Sequence, residues 1–171
     1  MDTKEMLTAW AASMETFTLP DWDTLPQLEL YMDQVIVLLE QYLPPASRAD
    51  GGKGVTASTI NNYVRMKVMP PPVKKKYGRT HLAYLIMICV LKQTLSIASI
   101  RLLLPTEQNS EQMEPLYRRF VCEHRAVSER YSQHIRAVAA NTDSTPALSA
   151  AILSHLSTAL TEHLLADRGE K

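Results

Sequence analysis

Ten consecutive apolar residues, 82–91 (LAYLIMICVL), constrain the fold of this chain more than any other stretch. A helix that is apolar on every side has to be surrounded by protein, and ten residues fall far short of the roughly 20 needed to cross a bilayer. The run is therefore expected to be a core helix with other helices packed round it. Directly before it lies TINNYVRMKVMPPPVKKKYGRT, residues 59–80, which joins a polar helical face, three prolines and a block of lysines. With 171 residues, 46% of them apolar, the chain can bury such a core in one domain or in a small head with a helical body.

The net charge is zero, from 18 basic and 18 acidic residues, yet residues 51–106 contain no Asp or Glu. That span carries Lys53, Arg65, Lys67, Lys74, Lys75, Lys76, Arg79, Lys92 and Arg101, and the rest of the chain is correspondingly acidic. Such segregation points to a polyanionic partner for the basic part; an internal electrostatic match between the two parts is the alternative. The start of the chain has no basic n-region followed by an apolar h-region, and no apolar run reaches membrane-spanning length, so a cytoplasmic protein without a membrane partner is expected. Cys89, inside the apolar run, and Cys122, in a charged stretch, fit a reducing compartment, and Cys89 is expected to pack rather than ligate.

Periodicity divides the chain into helices. Asp2 and Glu5 have capping-box spacing and predict a first helix over residues 3–16, followed by a turn segment, 19–26, whose Trp22 packs on the body. Pro26 suits the first position of a second helix, in which Leu28, Tyr31, Met32, Val35, Leu39 and Tyr42 recur at spacings of three and four before Pro44 and Pro45. A glycine loop occupies residues 46–54. Thr56 caps a third helix, 57–67, with Ala57, Ile60 and Val64 on an apolar face and Ser58, Asn61, Asn62 and Arg65 opposite. Pro70, Pro71 and Pro72 end it, and residues 73–79 form a short basic turn or two-strand wing. Thr80 then caps the core helix, and Ser96 caps a shorter one with Ile97, Ile100, Leu103 and Leu104 inward.

A long helix follows over residues 115–140, whose apolar spacing, Met113, Tyr117, Phe120, His124, Val127, Tyr131, His134, Val138, resembles a coiled-coil seam. In the last helix, beginning at Thr145 and Pro146, Leu148, Ile152, Leu156, Leu160 and Leu164 form one stripe. Either this helix folds back on the long one or the long helix self-pairs, making a homodimer through residues 111–169. No segment outside the wing alternates with period two, so the fold class is all-α.

No catalytic constellation is present. The five histidines are scattered, and neither a Gly-x-Ser-x-Gly, a phosphate-cradling glycine loop nor a His-Glu-x-x-His occurs. An enzyme is not expected, and neither a metal nor a cofactor is implied. The third helix offers binding chemistry instead. An Asn amide pairs bidentately with an adenine edge in the major groove, and Arg65 can do the same with guanine or hold a phosphate. Lys74, Lys75, Lys76, Tyr77 and Arg79 would then supply phosphate contacts that position the helix.

Residues 59–71, TINNYVRMKVMPP, resemble the second helix and turn of MerR-type DNA-binding heads, T-L-R-Y-Y-E-x-x-G-L-L-P-P, and KYGRTHLAYLIMICVLKQTLSIASIRLLL resembles the segment that follows in that family. Together with LPQLELYMDQV, the chain looks more closely like a bacterial family of domain of unknown function 1836 over about residues 17–105. The resemblance implies a MerR-like (winged) helix-turn-helix head. In it Tyr63 takes the place of a phosphate-contacting tyrosine, Asn61 that of a DNA-contacting arginine, Lys75 that of a wing arginine and Lys67 that of a turn glycine. Two readings follow: a DNA-binding transcriptional regulator with a linker at 1–24, a head at 25–105 and a helical region at 111–169, or an all-helical protein-interaction module. No ligand motif marks the body, and no effector is assigned.

Overall fold

The computed structural model describes residues 2–43, 54–105, 111–140 and 145–169. The proline stop at residues 44 and 45 and the glycine loop at 46–53 lie outside them. Seven α-helices and one short 3-10 helix form the described residues, with no strand among them: α1 (Thr3–Thr16), the 3-10 helix (Trp22–Thr24), α2 (Met32–Tyr42), α3 (Ala57–Arg65), α4 (Arg79–Leu91), α5 (Ile97–Leu103), α6 (Met113–Ala140) and α7 (Pro146–Gly169). None of these helices is long and apolar enough to cross a membrane.

The apolar run becomes α4, the hub of the core. Leu82, Ala83, Tyr84, Leu85, Ile86 and Ile88 are completely buried, because Val35 and Leu39 of α2, Ile60 and Tyr63 of α3, Ile100 of α5 and Met113, Tyr117 and Val121 of α6 join one cluster with them. The core thus runs past the interval between residues 105 and 111, where the sequence suggests a domain boundary. Gly78 replaces Thr80 as the N-cap of α4, its N–H donating to His81 Nδ1 at 3.1 Å. Cys89 is buried, and burial pushes its thiol up to about 12, so it packs as a neutral side chain.

The helix starts at Asp2, Thr56 and Ser96 follow the expected caps. Asp2 N–H donates to Glu5 Oε2 at 3.1 Å, and the Thr56 and Ser96 hydroxyls accept from Thr59 N–H at 3.2 Å and Ser99 N–H at 3.1 Å. The start of α2 differs: Pro26 does not open it, and the helix begins six residues later, at Met32. Leu30 instead pairs its backbone with Tyr77, N–H to O at 2.9 Å and O to N–H at 2.8 Å. That bridge holds the segment extended, and Tyr31 N–H is capped by Gln34 Oε1 at 2.9 Å. Long-range pairing overrides the local preference of proline.

At the other end of α3 the chain closes a Schellman turn. Val68 N–H donates to Tyr63 O at 3.0 Å and Lys67 N–H to Val64 O at 2.9 Å, with Lys67 in the left-handed region at φ 55°. Buried Val68 packs in the same cluster as Tyr63, which supplies the motif's apolar contact. A Cβ costs about 1 kcal/mol in this conformation. Lys67→Gly will accordingly raise the unfolding free energy by up to about 1 kcal/mol, less the extra entropy of glycine in the unfolded chain. Urea titration of the two proteins measures it; a destabilised glycine variant would show that the Lys67 side chain contributes more than its backbone costs.

The long helix finds its partner within the chain in α1 and not in the last helix. α1 lies against it antiparallel, Phe17 beside His124 with ring centroids 6.2 Å apart and Trp10 beside Tyr131 at 6.4 Å. Glu15 accepts from the Ser132 hydroxyl at 2.8 Å and from Arg136 Nη2 at 2.9 Å, and these donors hold its carboxyl below the usual carboxylate range. Ser132 and Ile135 are therefore buried, while Val127 and His134 are exposed. Of the expected seam, Met113 and Tyr117 are buried and Phe120, His124, Tyr131 and Val138 are half-buried, and Val121, Ser132 and Ile135 widen the packed side to one flank. α7 does not fold back along α6 through its leucine stripe, which faces outward.

Candidate nucleic-acid interface

Capped at Thr56 and closed by the turn at Lys67, α3 is held on the core by Ile60 and Tyr63. Ala57, expected on the apolar face, is exposed, and Tyr63 takes the inward place. The opposite face carries Ser58, Asn61 and Arg65, all exposed, with Asn62 half-buried between them. Arg65 Nη2 donates to Asn62 Oδ1 at 2.6 Å, and Asn62 Nδ2 donates to Met66 Sδ at 3.5 Å, so the amide and the guanidinium are held as a pair. The Asn61 side chain has no hydrogen-bond partner among the described residues. These residues line a depression of about 680 Å³, which Thr56, Thr59, Tyr63 and Lys92 complete.

Lys92 is the residue that sequence reasoning misses. It is the C-cap of α4, 27 positions after Arg65, and only the packing of α4 and α3 in one core brings it to this face. Its membership of the acid-free span is the one signal in the sequence. Among the described residues, no acidic side chain lines the depression.

The segment expected to form a wing holds a two-residue hairpin, Val73 to Lys76. Val73 N–H donates to Lys76 O at 3.1 Å and Lys76 N–H to Val73 O at 2.9 Å, and the two residues between them, Lys74 and Lys75, have φ values of 50° and 64°. Positive φ at both central positions defines a type I′ turn, a place that favours Asn-Gly. Two lysines here cost backbone energy and stand exposed at the tip. Lys76 leans the other way, 3.4 Å from Glu29 and over the Tyr31 ring at 5.8 Å. None of the hairpin residues lines the depression on α3.

Three residues expected to face a partner belong to the scaffold. Tyr63 and Tyr77 are each 2% exposed, because the Schellman contact and the Leu30 bridge turn them inward. Arg79 donates from Nε and Nη2 to the Leu25 carbonyl, at 3.1 and 2.9 Å, and lies over the Trp22 ring at 5.6 Å. It ties the segment before α2 to the start of α4.

His81, at the base of the wing, links the same parts. Its Nδ1 accepts from Gly78 N–H, so Nε2 carries the proton and donates to Pro71 O at 3.1 Å. Burial depresses its pKa, and burial also depresses that of His124, which sits between Phe17 and Phe120. A depressed imidazole binds fewer protons folded than unfolded, so its contribution to stability is complete above about pH 6.5 and is lost as pH falls towards the folded-state pKa. Melting temperature will fall as pH drops below about 6.5, and His81→Asn, which retains an acceptor for Gly78 but cannot charge, will lessen the fall. A fall unaltered by both His81→Asn and His124→Phe would place the acid sensitivity elsewhere. The Asp23 carboxyl, held below its ordinary range chiefly by hydrogen bonds from Arg118, acts only in stronger acid.

A family model described as "Domain of unknown function (DUF1836)" matches residues 20–120, from the strap before α2 into the first turns of α6. No curated protein and no solved structure matches the chain.

Proposed function

The chain belongs to the family of domain of unknown function 1836, and from that premise we propose that it is a DNA-binding transcriptional regulator with a MerR-like winged helix-turn-helix head. In this reading α2 and α3 are the two helices of the motif, and α3 enters the major groove of duplex DNA. The observation that carries the reading is the depression on α3, which Asn61, Asn62, Arg65 and Lys92 from two helices line with no acidic side chain among the described residues. Asn61 is free to pair with an adenine edge, the Asn62–Arg65 pair presents two planar groups to the next bases, and Ser58 and Lys92 reach phosphates. Lys74 and Lys75 on the wing hold the backbone further along. Lys76, Tyr77, Arg79 and Tyr63 position these groups and make no contact themselves.

Arg65, Lys74, Lys75 and Lys92 together neutralise about four phosphates, which gives log K a slope near −3.5 against log salt. Fluorescence anisotropy of random duplex DNA, titrated from about 50 to 200 mM salt, tests the reading. Micromolar binding with that slope supports it, and Arg65→Ala with Lys92→Gln weakens binding by more than tenfold. Absence of binding at the lowest salt would refute it and leave the basic face to an acidic protein partner, as in an interaction module.

A further inference from the structure

A helix is ordinarily held to its own core by its apolar side. α7 is held by the other. Among its described side chains only Leu165 is buried, with Thr158 and Thr161 half-buried on the same side, whereas Leu148, Ile152, Leu156, Leu160 and Leu164 are 52–61% exposed. At 100° per residue these five and Leu153 cover an arc of about 160°. We propose that this face binds the same face of a second copy of the chain in a two-fold symmetric, antiparallel dimer.

Self-complementarity argues for the second copy. The spacing of the stripe is symmetric about Leu156, so an antiparallel pair sets Leu156 against Leu156, Ile152 against Leu160 and Leu148 against Leu164. Ser149 and His163, polar residues within the arc, likewise fall opposite each other. This is the condition of an isologous interface, in which residue i meets j and j meets i. Spacing by four forms one ridge, and two such ridges interdigitate at a crossing angle near −50°. Residues 145–161 contain no Asp, Glu, Lys or Arg, so a charged peptide finds no counter-charge there. The large apolar side chains of two copies together offer on the order of 1,000 Å², the area at which a specific interface becomes stable.

Size-exclusion chromatography with light scattering, run on the full chain at tens of micromolar, will give twice the 19.2 kDa monomer mass. Leu156→Glu with Leu160→Glu will give the monomer mass at the same concentration with helical circular dichroism retained. In a Cys122→Ser background, Leu156→Cys will form a disulfide-linked dimer under mild oxidation, and Ser154→Cys, on the opposite side of α7, will not. A monomeric parent protein, a dimer that survives the glutamate pair, or equal cross-linking from position 154 would each overturn the proposal. The readout is mass, so its outcome is separate from that of DNA binding.

Discussion

Replacing Lys74 and Lys75 together with glutamine will flatten the dependence of log K for duplex DNA on log salt by about 2 units. Each lysine that neutralises a phosphate releases counterions worth about 0.9 of a unit in that slope. These two carry the effect because the type I′ turn places them at the exposed tip. Lys76 is adjacent in sequence but leans on Glu29 and Tyr31, so Lys76→Gln will leave the slope nearly unaltered. The strain gives a second arm. Lys74→Asn with Lys75→Gly converts the tip to the pair that a type I′ turn prefers. It will stabilise the hairpin by roughly 1 kcal/mol while removing the same charge. A protein that gains stability and loses DNA affinity in this way retains its lysines for a partner; one that loses neither would take the wing out of the interface.

Trp22→Ala will lower the unfolding free energy by about 3–5 kcal/mol, within the range for removing a buried aromatic ring. Trp22 is 7% exposed, with Tyr117 at 6.0 Å on one side and the Arg79 guanidinium over its ring. Around it the strap is fixed at three further points: the Tyr117 hydroxyl donates to Pro20 O at 2.9 Å, Arg118 Nη1 and Nη2 donate to the Asp23 carboxylate at 2.7 and 2.8 Å, and Arg79 donates to Leu25 O. These anchors limit collapse of the cavity, which keeps the cost high. Against a total stability of about 5–15 kcal/mol the loss is severe. Denaturant titration measures it, and an unchanged m value will confirm that two folded states are being compared. Tyr117→Phe, which deletes one hydrogen bond, will cost only about 1 kcal/mol. If Trp22→Ala cost no more than that, the strap would be held by its polar anchors alone.

What was legible in the sequence is what neighbouring residues settle among themselves. Ten apolar residues in a row admit only a buried helix, and α4 is one. Hydroxyl and carboxylate caps act across three or four residues, and the starts of α1, α3 and α5 follow them. Lys67, which the resemblance sets in the place of a turn glycine, is left-handed, in the turn that closes α3. Within the candidate site, the same helical periodicity separates Ser58, Asn61 and Arg65 from Ile60.

Tertiary structure decided whatever depends on a partner far along the chain. Pro26 is a good helix opener, but the Leu30 bridge to Tyr77 moves the start of α2, and that bridge also draws Tyr77 into the core. The apolar spacing of α6 calls for a packed mate without naming it; α1, through its aromatic residues on Tyr131 and His124 and through Glu15 on Ser132, takes that place and widens the packed side to one flank. Arg79 and Lys92 are both single cations in one acid-free span, yet one becomes a buttress and the other joins the depression on α3. The leucine stripe of α7 illustrates the division most plainly. Its period determines that it is a helix with one apolar face, while the direction of that face rests on which surface the helix packs against, a free energy summed over residues that local sequence does not bring together.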